Sequence, residues 1–380
     1  MYLKNLRLRS FRNYLDQKVT FESQKTIVLG NNAQGKSNLL EAIELLSTLK
    51  THRSNRDCDL VREGDTIARI EATLERAYGQ ADLAIILHQQ GRRNVFLNQE
   101  SLRRQLDFLG VLNTVRFSSL DLDLVRGSPE SRRDWVDSLL VQLEPIYAHI
   151  LHQYQKILRQ RNAYLKKDRK QFQLGLESQV NQIDHTQLEL WDQQLAQMGS
   201  RVTRRRARVL KRLTPIAREW HNTLSGKTEQ LDIEYLPNVN WSEDNPENVQ
   251  QAFLAQIKER RLVEQSQGLS LVGPHRDEVN LIINQTPVRS YGSQGQQRTL
   301  VLALKLAELQ LVEDVIGEPP VLLLDDVLAE LDPHRQNLLL ETIQDRFQTI
   351  ITTTHLNSFD AQWLRESQIL SVEAGNVKGI

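Results

Sequence analysis

Eight consecutive residues, Gly30-Asn31-Asn32-Ala33-Gln34-Gly35-Lys36-Ser37, have the types and spacing of a phosphate cradle, G-x-x-x-x-G-K-[ST]. The glycines let backbone N–H groups close around β- and γ-phosphate oxygens. Lys36 reaches the same oxygens, and the Ser37 hydroxyl is suited to ligate Mg²⁺. A second set of groups follows the apolar run Val321-Leu322-Leu323-Leu324, where Asp325 and Asp326 stand side by side. A buried parallel strand delivers such acids to bound phosphates. Asp325 is suited to hold the Mg²⁺ shell, and Asp326 to polarise an attacking water as general base. A third set is Ser293-Gln294-Gly295-Gln296 at a helix start, where hydroxyl, glycine N–H and helix dipole form another anion site. Two phosphate-binding elements so far apart in the chain suggest that two chains share each nucleoside triphosphate.

The elements that must position these groups are written around them. Thr26–Leu29 reads as a buried strand entering the glycine loop, and Leu39, Ile43, Leu46 and Leu49 recur at helical spacing beyond it. Residues 2–9 alternate apolar and basic, Ser10–Tyr14 makes a turn, and Gln17–Phe21 reads as the return strand. Arg12, so close before the loop, is a candidate to reach the nucleotide; a solvated hairpin arginine is the alternative. Ala68–Leu74, Ala81–His88 and Val95–Leu97, with a tip at Gly91–Asn94, read as a small antiparallel sheet. Arg92 and Arg93 at that tip are either a DNA phosphate contact or ordinary solvated surface.

From about Arg116 the pattern turns helical. Ser128 is placed to cap a helix with Pro129 in its first turn. An apolar stripe then runs from Val136 to Leu158, with a kink expected at Pro145. A second stripe carries Val180, Leu188, Trp191, Leu195, Met198 and Val202, and a third spans Val249–Val263. Strand character returns at Leu269–Val272, Val279–Ile283, Val321–Leu324 and Arg346–Thr354, the last followed by His355. The expectation is an α/β ATPase lobe from residues 1–115 and 266–380, with an antiparallel β subdomain and a helical lobe at 116–265 inserted.

Lys+Arg and Asp+Glu both number 48, so no overall basic field announces a polyanion; any such partner must meet a local patch. Two patches stand out: Arg201, Arg204, Arg205, Arg206, Arg208, Lys211 and Arg212, and Lys156, Arg159, Arg161, Lys166, Lys167, Arg169 and Lys170. The arginine run is the stronger candidate for DNA contact, against a solvated, internally paired helix face. The single Cys58 rules out an internal disulfide framework, no run approaches the ~18 apolar residues of a membrane span, and the N-terminus is too charged for a signal peptide. A cytoplasmic protein is expected. The scattered histidines show no metal-ligand spacing, and His275 reads as a packing residue.

Together, Phe11-Arg12-Asn13-Tyr14, Gly30–Ser37, Arg132-Arg133, Gly273-Pro274-His275-Arg276-Asp277, Ser293-Gln294-Gly295-Gln296-Gln297-Arg298 and Leu323–Val327 with Glu330-Leu331-Asp332 make the chain, from Met1 to about Thr354, similar to the RecF family. These are recombination-mediator ATPases related to the SMC and ABC ATPases. The resemblance implies an ABC/SMC-like P-loop ATPase head with ATP and Mg²⁺ as cofactors. It implies that Ser293 and Gly295, with Gln296, meet the γ-phosphate across an ATP-dependent homodimer, and that Asp332 links the two sites. His355 falls where a switch histidine would sit. Asp326 replaces the glutamate of ABC transporters, and its shorter reach suits slow turnover. DNA gaps and junctions are the implied substrate, RecR and RecO the partners, and recombinational repair with the SOS response the setting. Two departures matter: Cys58 and its neighbours fit only loosely, and Phe117-Ser118-Ser119-Leu120-Asp121-Leu122 keeps only Phe117, Asp121 and Leu122 of the family's Phe-x-Pro-Glu-Asp-Leu, so the residue coupling nucleotide to helical lobe is not carried over. A transporter ATPase subunit and a small-molecule kinase are the alternatives. The basic helices and the GPHRD segment argue against the first, the Ser293–Gln296 element and the paired acids against the second.

Overall fold

The computed structural model describes residues 1–51, 56–173, 185–357 and 359–380. Residues 52–55, and Val180 of the second helical stripe, lie outside them. The chain opens with a hairpin, β1 (Tyr2–Phe11) and β2 (Tyr14–Thr20). Leu3, Leu6, Leu8 and Phe11 of β1 are all buried, although Leu3 and Leu6 break a strict alternation. A register shift between Leu3 and Asn5 against the neighbouring strand supplies the extra residue, as a bulge does. Next come β3 (Lys25–Leu29) and α1 (Lys36–Thr48), then the meander β4 (Ile67–Arg76), β5 (Gly79–His88), β6 (Asn94–Leu97) and β7 (Glu100–Ser101). The hairpin and the meander form one antiparallel sheet, ordered β2-β1-β4-β5-β6-β7, larger than the small sheet expected. Arg93 is neither solvated nor free for DNA, because it pairs with Asp57 and caps α1 through the Leu49 carbonyl.

The helical block holds α2 (Asp123–Arg126), α3 (Pro129–Leu143), α4 (Ile146–Gln173), α5 (His185–Leu224) and α6 (Pro246–Gln267). Pro145 does more than kink the first stripe: α3 ends before it and α4 begins after it. Ser128 sits at the cap position of α3, yet its side chain makes no capping bond.

The nucleotide core is a second sheet. It contains β3, β8 (Thr114–Ser118), β12 (Val321–Asp325), β13 (Thr349–Thr353), β14 (Ser367–Glu373) and β15 (Asn376–Gly379), in the order β15-β14-β3-β13-β12-β8. All pairs are parallel except β14–β15. Every residue of β8, β12 and β13 is buried, as befits strands covered on both faces. The remaining elements are β9 (Leu231–Leu236), β10 (Glu278–Ile283) and β11 (Thr286–Pro287) in a small antiparallel sheet, and helices α7 (Val288–Tyr291), α8 (Gln294–Ile316), α9 (Pro333–Ile343) and α10 (Ala361–Glu366).

Three boundaries differ from the sequence reading. The division at 115/116 cuts through β8, which pairs with β12 from Val321↔Thr114 to Asp325↔Ser118. Within the block read as wholly helical, β9 pairs with β10, so the two parts share a sheet. Leu269–Val272 is not a strand, because side chains take its backbone donors: Asn162 Oδ1 accepts from Ser270 at 2.7 Å and Glu264 Oε1 from Leu271 at 2.6 Å.

Candidate nucleotide site

The sheet order places β13 between the strand that enters the glycine loop and the strand that ends in the acids. Register then fixes their meeting: Thr353↔Leu29 on one side of β13 and Asp325↔Thr352 on the other. The glycine loop, both acids and the end of β13 therefore share one sheet edge, the carboxyl edge where ligands gather in parallel sheets.

Ser37 Oγ donates to Asp325 Oδ1 at 2.7 Å, and Thr352 Oγ1 donates to the same oxygen at 2.9 Å. The other oxygen, Oδ2, accepts from Arg116 at 2.6 Å, while Arg116 also binds Glu44 of α1 at 2.8 Å. Burial pushes the Asp325 carboxyl up, but the Arg116 guanidinium and the hydrogen bonds outweigh it and hold the group below the usual carboxylate range. The sequence reading missed Arg116 and Thr352; only the pairing of β8 and β13 beside β12 brings them to Asp325.

Asp326 is built differently. Its φ of 54° turns it out of the strand, a conformation that Asp tolerates better than most residues. Its N–H donates to Thr352 Oγ1 at 3.0 Å. The carboxylate is 42% exposed and 3.9 Å from Lys36 Nζ. Burial, aided by the Asp325 charge and opposed by Lys36, raises it from the ordinary carboxylate value. Two adjacent acids are thus driven apart, one held ionised and one made more basic, as acid–base chemistry requires.

Lys36 folds over the loop, donating to the Gly30 carbonyl at 2.9 Å and the Asn31 carbonyl at 3.2 Å. With Asn32, Ala33, Gly35, Ser37, Asn38 and Asp326 it lines a hollow of about 230 Å³. That is smaller than a typical ligand cavity of ~300–1,000 Å³, and suits the phosphate end of a nucleotide.

The loop is braced from both ends of the chain. Tyr14 donates to the Gly35 carbonyl at 2.9 Å and Asn13 to the Gln34 carbonyl at 2.8 Å. The turn between β14 and β15 answers from the other side: Ala374 N–H donates to Gln34 Oε1 at 2.7 Å and Gly375 N–H to the Gln34 carbonyl at 3.0 Å. Gly35 has φ +118°, and a Cβ there would stand 2.6 Å from Asn13. The Asn13-Tyr14 pair, noted in the sequence only as part of a motif, is the floor of the loop.

Arg12 enters the site indirectly. Both its Nε and Nη2 pair with Glu41 of α1, at 3.0 and 2.8 Å, and Nη1 donates to the Asp59 carbonyl. It is neither a solvated hairpin residue nor a side chain open to ligand; a nucleotide contact would require that pair to part.

Ser293 caps α8 in a reciprocal box: its Oγ accepts from Gln296 N–H at 3.2 Å, and Gln296 Oε1 accepts from Ser293 N–H at 2.9 Å. Ser293, Gln294 and Gly295 are exposed, and none of residues 293–296 lines the hollow at Lys36. Asp332 caps α9 through Arg335, which in turn donates to Thr299 of α8. His355 is exposed, and its backbone is fixed by Thr353 Oγ1.

The segment that departs from the family pattern is tied to α8. Asp121 accepts from Ser118 N–H at 2.6 Å and pairs with Lys305 at 3.0 Å, while Arg126 donates to Gln297 Oε1 at 2.6 Å. The GPHRD segment is a packing hub. Asp277 accepts from Arg206, Tyr235 and Asn238, Arg133 donates to its carbonyl, and His275 is held by Tyr154 and Ser270. Burial lowers His275 to about 4, so it is a neutral hydrogen-bonding residue there.

Comparison with known proteins now bears on this geometry. A model of the RecF/RecN/SMC N-terminal domain matches residues 2–376. A protein of Gloeothece citriformis named DNA replication and repair protein RecF is 70% identical over all of both chains. The chain belongs to the RecF family. Among solved structures, the recombination mediator protein RecF-ATPrS of the RecFOR pathway superposes with a TM-score of 0.90 at 30% identity, covering 100% of this chain and 98% of that one. A Pyrococcus furiosus Smc head domain follows at 0.54 and 16%, covering 100% and 96%, a likeness of fold alone. The expected ABC/SMC-like P-loop head is therefore the fold of this RecF-family chain, with the antiparallel sheet beside it.

Both basic clusters are partly paired; in the first, Arg201, Lys211 and Arg212 are exposed with no ion pair among the described residues. In the arginine run, Arg206 is buried against Asp137 and Asp277, Arg204 and Arg208 both bind Asp244, and Arg205 binds Glu144. On α4, Arg161 is buried between Asp192 and Glu264, but Lys156, Arg159, Lys166 and Lys167 are exposed with no ion pair among the described residues. Helical spacing puts Lys156, Arg159 and Lys167 on one face. Among the described residues no helix is long and apolar enough to cross a membrane.

Proposed function

We propose that the chain is an ATP-dependent DNA-binding protein of recombinational repair and replication-fork recovery. ATP closes two copies into a clamp on gapped or single-strand/double-strand junction DNA, in support of recombinase loading and the SOS response. The observation that carries this reading is the separation of the two anion-binding elements. The hollow at Lys36 holds the glycine loop and Asp326, while the capped, exposed Ser293 does not line it. A second copy supplies what the first lacks. Family membership supports it, as does the RecFOR pathway in which a solved relative acts, from which RecR and RecO follow as partners.

The residues fit the expected ligands. Ser37 and Asp325 offer hard oxygen donors 2.7 Å apart, the set that Mg²⁺ prefers. Mg²⁺ held there would neutralise charge on the β- and γ-phosphates. Lys36 turns from the loop carbonyls to the phosphate oxygens, and loop N–H groups bind them from the other side. Asp326, raised in basicity, takes the proton of the attacking water, and His355, which follows β13, serves as the switch. Slow hydrolysis then removes the γ-phosphate contact and opens the pair. The face of α4 is our proposed DNA contact: Lys156, Arg159 and Lys167 share it, exposed and with no ion pair among the described residues.

Sedimentation with ATP and Mg²⁺ tests the reading. Wild type is expected to dimerise, Lys36→Arg to lose nucleotide-driven pairing, and Ser293→Arg to bind ATP yet stay monomeric. Normal pairing by Ser293→Arg would overturn the shared site.

A further inference from the structure

The capping box at Ser293 leans on a residue from another part of the chain. Gln296 uses its Oε1 to accept from Ser293 N–H, and its Nε2 donates to Glu229 Oε1 at 2.8 Å. We propose that Glu229 is a positioning residue for the shared nucleotide site, holding the Gln296 amide so that Ser293 presents its hydroxyl proton to the triphosphate of a second copy. The inference rests on the shared-site reading and deepens it.

The chemistry is directional. An amide side chain has a donor end and an acceptor end, and Ser293 N–H requires the acceptor. Glu229, an acceptor, claims the donor end and so fixes which way the amide points. With Gln296 N–H already donating to Ser293 Oγ, the hydroxyl proton has no acceptor among the described residues and remains available. The backbone that carries Glu229 is itself tied down on both sides. It follows α5 on a loop whose Lys227 N–H returns to the Asn222 carbonyl at 2.8 Å. The next residue, Gln230, exchanges hydrogen bonds with Asn284 in the β10–β11 turn, at 2.8 and 3.0 Å. His221 lies 3.6 Å from Glu229 Oε2 and is fully buried. Burial, ahead of the pull of Glu229, lowers the His221 pKa.

The test compares Glu229→Leu, Glu229→Gln and Ser293→Arg by sedimentation with ATP and Mg²⁺, alongside ATP affinity measured at concentrations where the protein is monomeric. Removing an acceptor that fixes a hydrogen-bonded group is expected to weaken ATP-driven pairing roughly tenfold to a hundredfold in Glu229→Leu. Monomer ATP affinity stays near wild type. Glu229→Gln keeps an acceptor oxygen and restores pairing. Wild-type pairing by Glu229→Leu overturns the inference, and so does failure of Glu229→Gln to restore it. A matching loss of monomer ATP affinity also overturns it, because the residue would then act through the fold. Wild-type pairing by Ser293→Arg overturns the shared site itself.

Discussion

Replacing Arg116 by methionine removes the guanidinium that bridges Asp325 and Glu44. The guanidinium is 3% exposed and the two carboxylates 6% each, so all three charges are desolvated. Breaking a buried pair by deleting one partner costs about 3–5 kcal/mol, because the other charge is left uncompensated. Thermal melting at pH 7 is therefore expected to fall by roughly 5–15 °C. The pH dependence is the sharper test. In the native protein Asp325 is held below its ordinary value, so its contribution is present above the unfolded carboxylate range and is lost as pH falls through the lowered value. In Arg116→Met, burial dominates and the Asp325 pKa rises, so ionisation becomes the destabilising event. The stability gap between the two proteins should be widest near pH 7 and shrink as pH falls toward 4. A gap below about 0.5 kcal/mol at pH 7, the range of ordinary surface substitutions, would refute the claim that Arg116 compensates buried charge. So would a gap that does not change with pH.

Other predictions follow from the same contacts. Ser37→Ala should cost only about 1 kcal/mol of stability, the value of one hydrogen bond, while Mg²⁺-dependent ATP binding measured by calorimetry falls at least roughly tenfold. Gly375→Ala would put a Cβ 2.4 Å from the Asn13 carbonyl at φ +79°. Equilibrium dialysis should show weakened ATP binding, although residue 375 does not line the phosphate hollow, with a stability loss of about 1–3 kcal/mol. Lys156→Glu with Lys167→Glu should lower DNA affinity and reduce the log–log salt slope by roughly two or more, whereas Arg208→Glu should change it little. Equal effects from both variants would remove α4 as the preferred face.

What could be read from the sequence is what short-range chemistry encodes. The glycine loop, the strand into it, the helix out of it and the two acids were all placed correctly, because each carries its own local pattern. The capped start of α8 was legible for the same reason. Contacts made only by strand order were not: Arg116 and Thr352 reach Asp325 because β8 and β13 flank β12, and no spacing in the chain announces that. Charge misled in a physical way. Arg204, Arg205, Arg206 and Arg208 look like a polyanion footprint, yet Asp137, Asp244, Asp277 and Glu144, all distant in sequence, pair with them. The pairing of Arg12 is hidden from the sequence likewise, since its partner Glu41 is buried on α1.

The bracing of Gln34 by residues 374 and 375 has a consequence for biosynthesis. At ~5–20 residues per second, a ribosome needs roughly 15–70 s to travel from the glycine loop to the turn that supports it. During that interval the loop has Asn13 and Tyr14 beneath it but nothing at its flank, and β3 lacks both strands that will enclose it. A nascent chain therefore lacks the full support of the glycine loop until translation has passed residue 375.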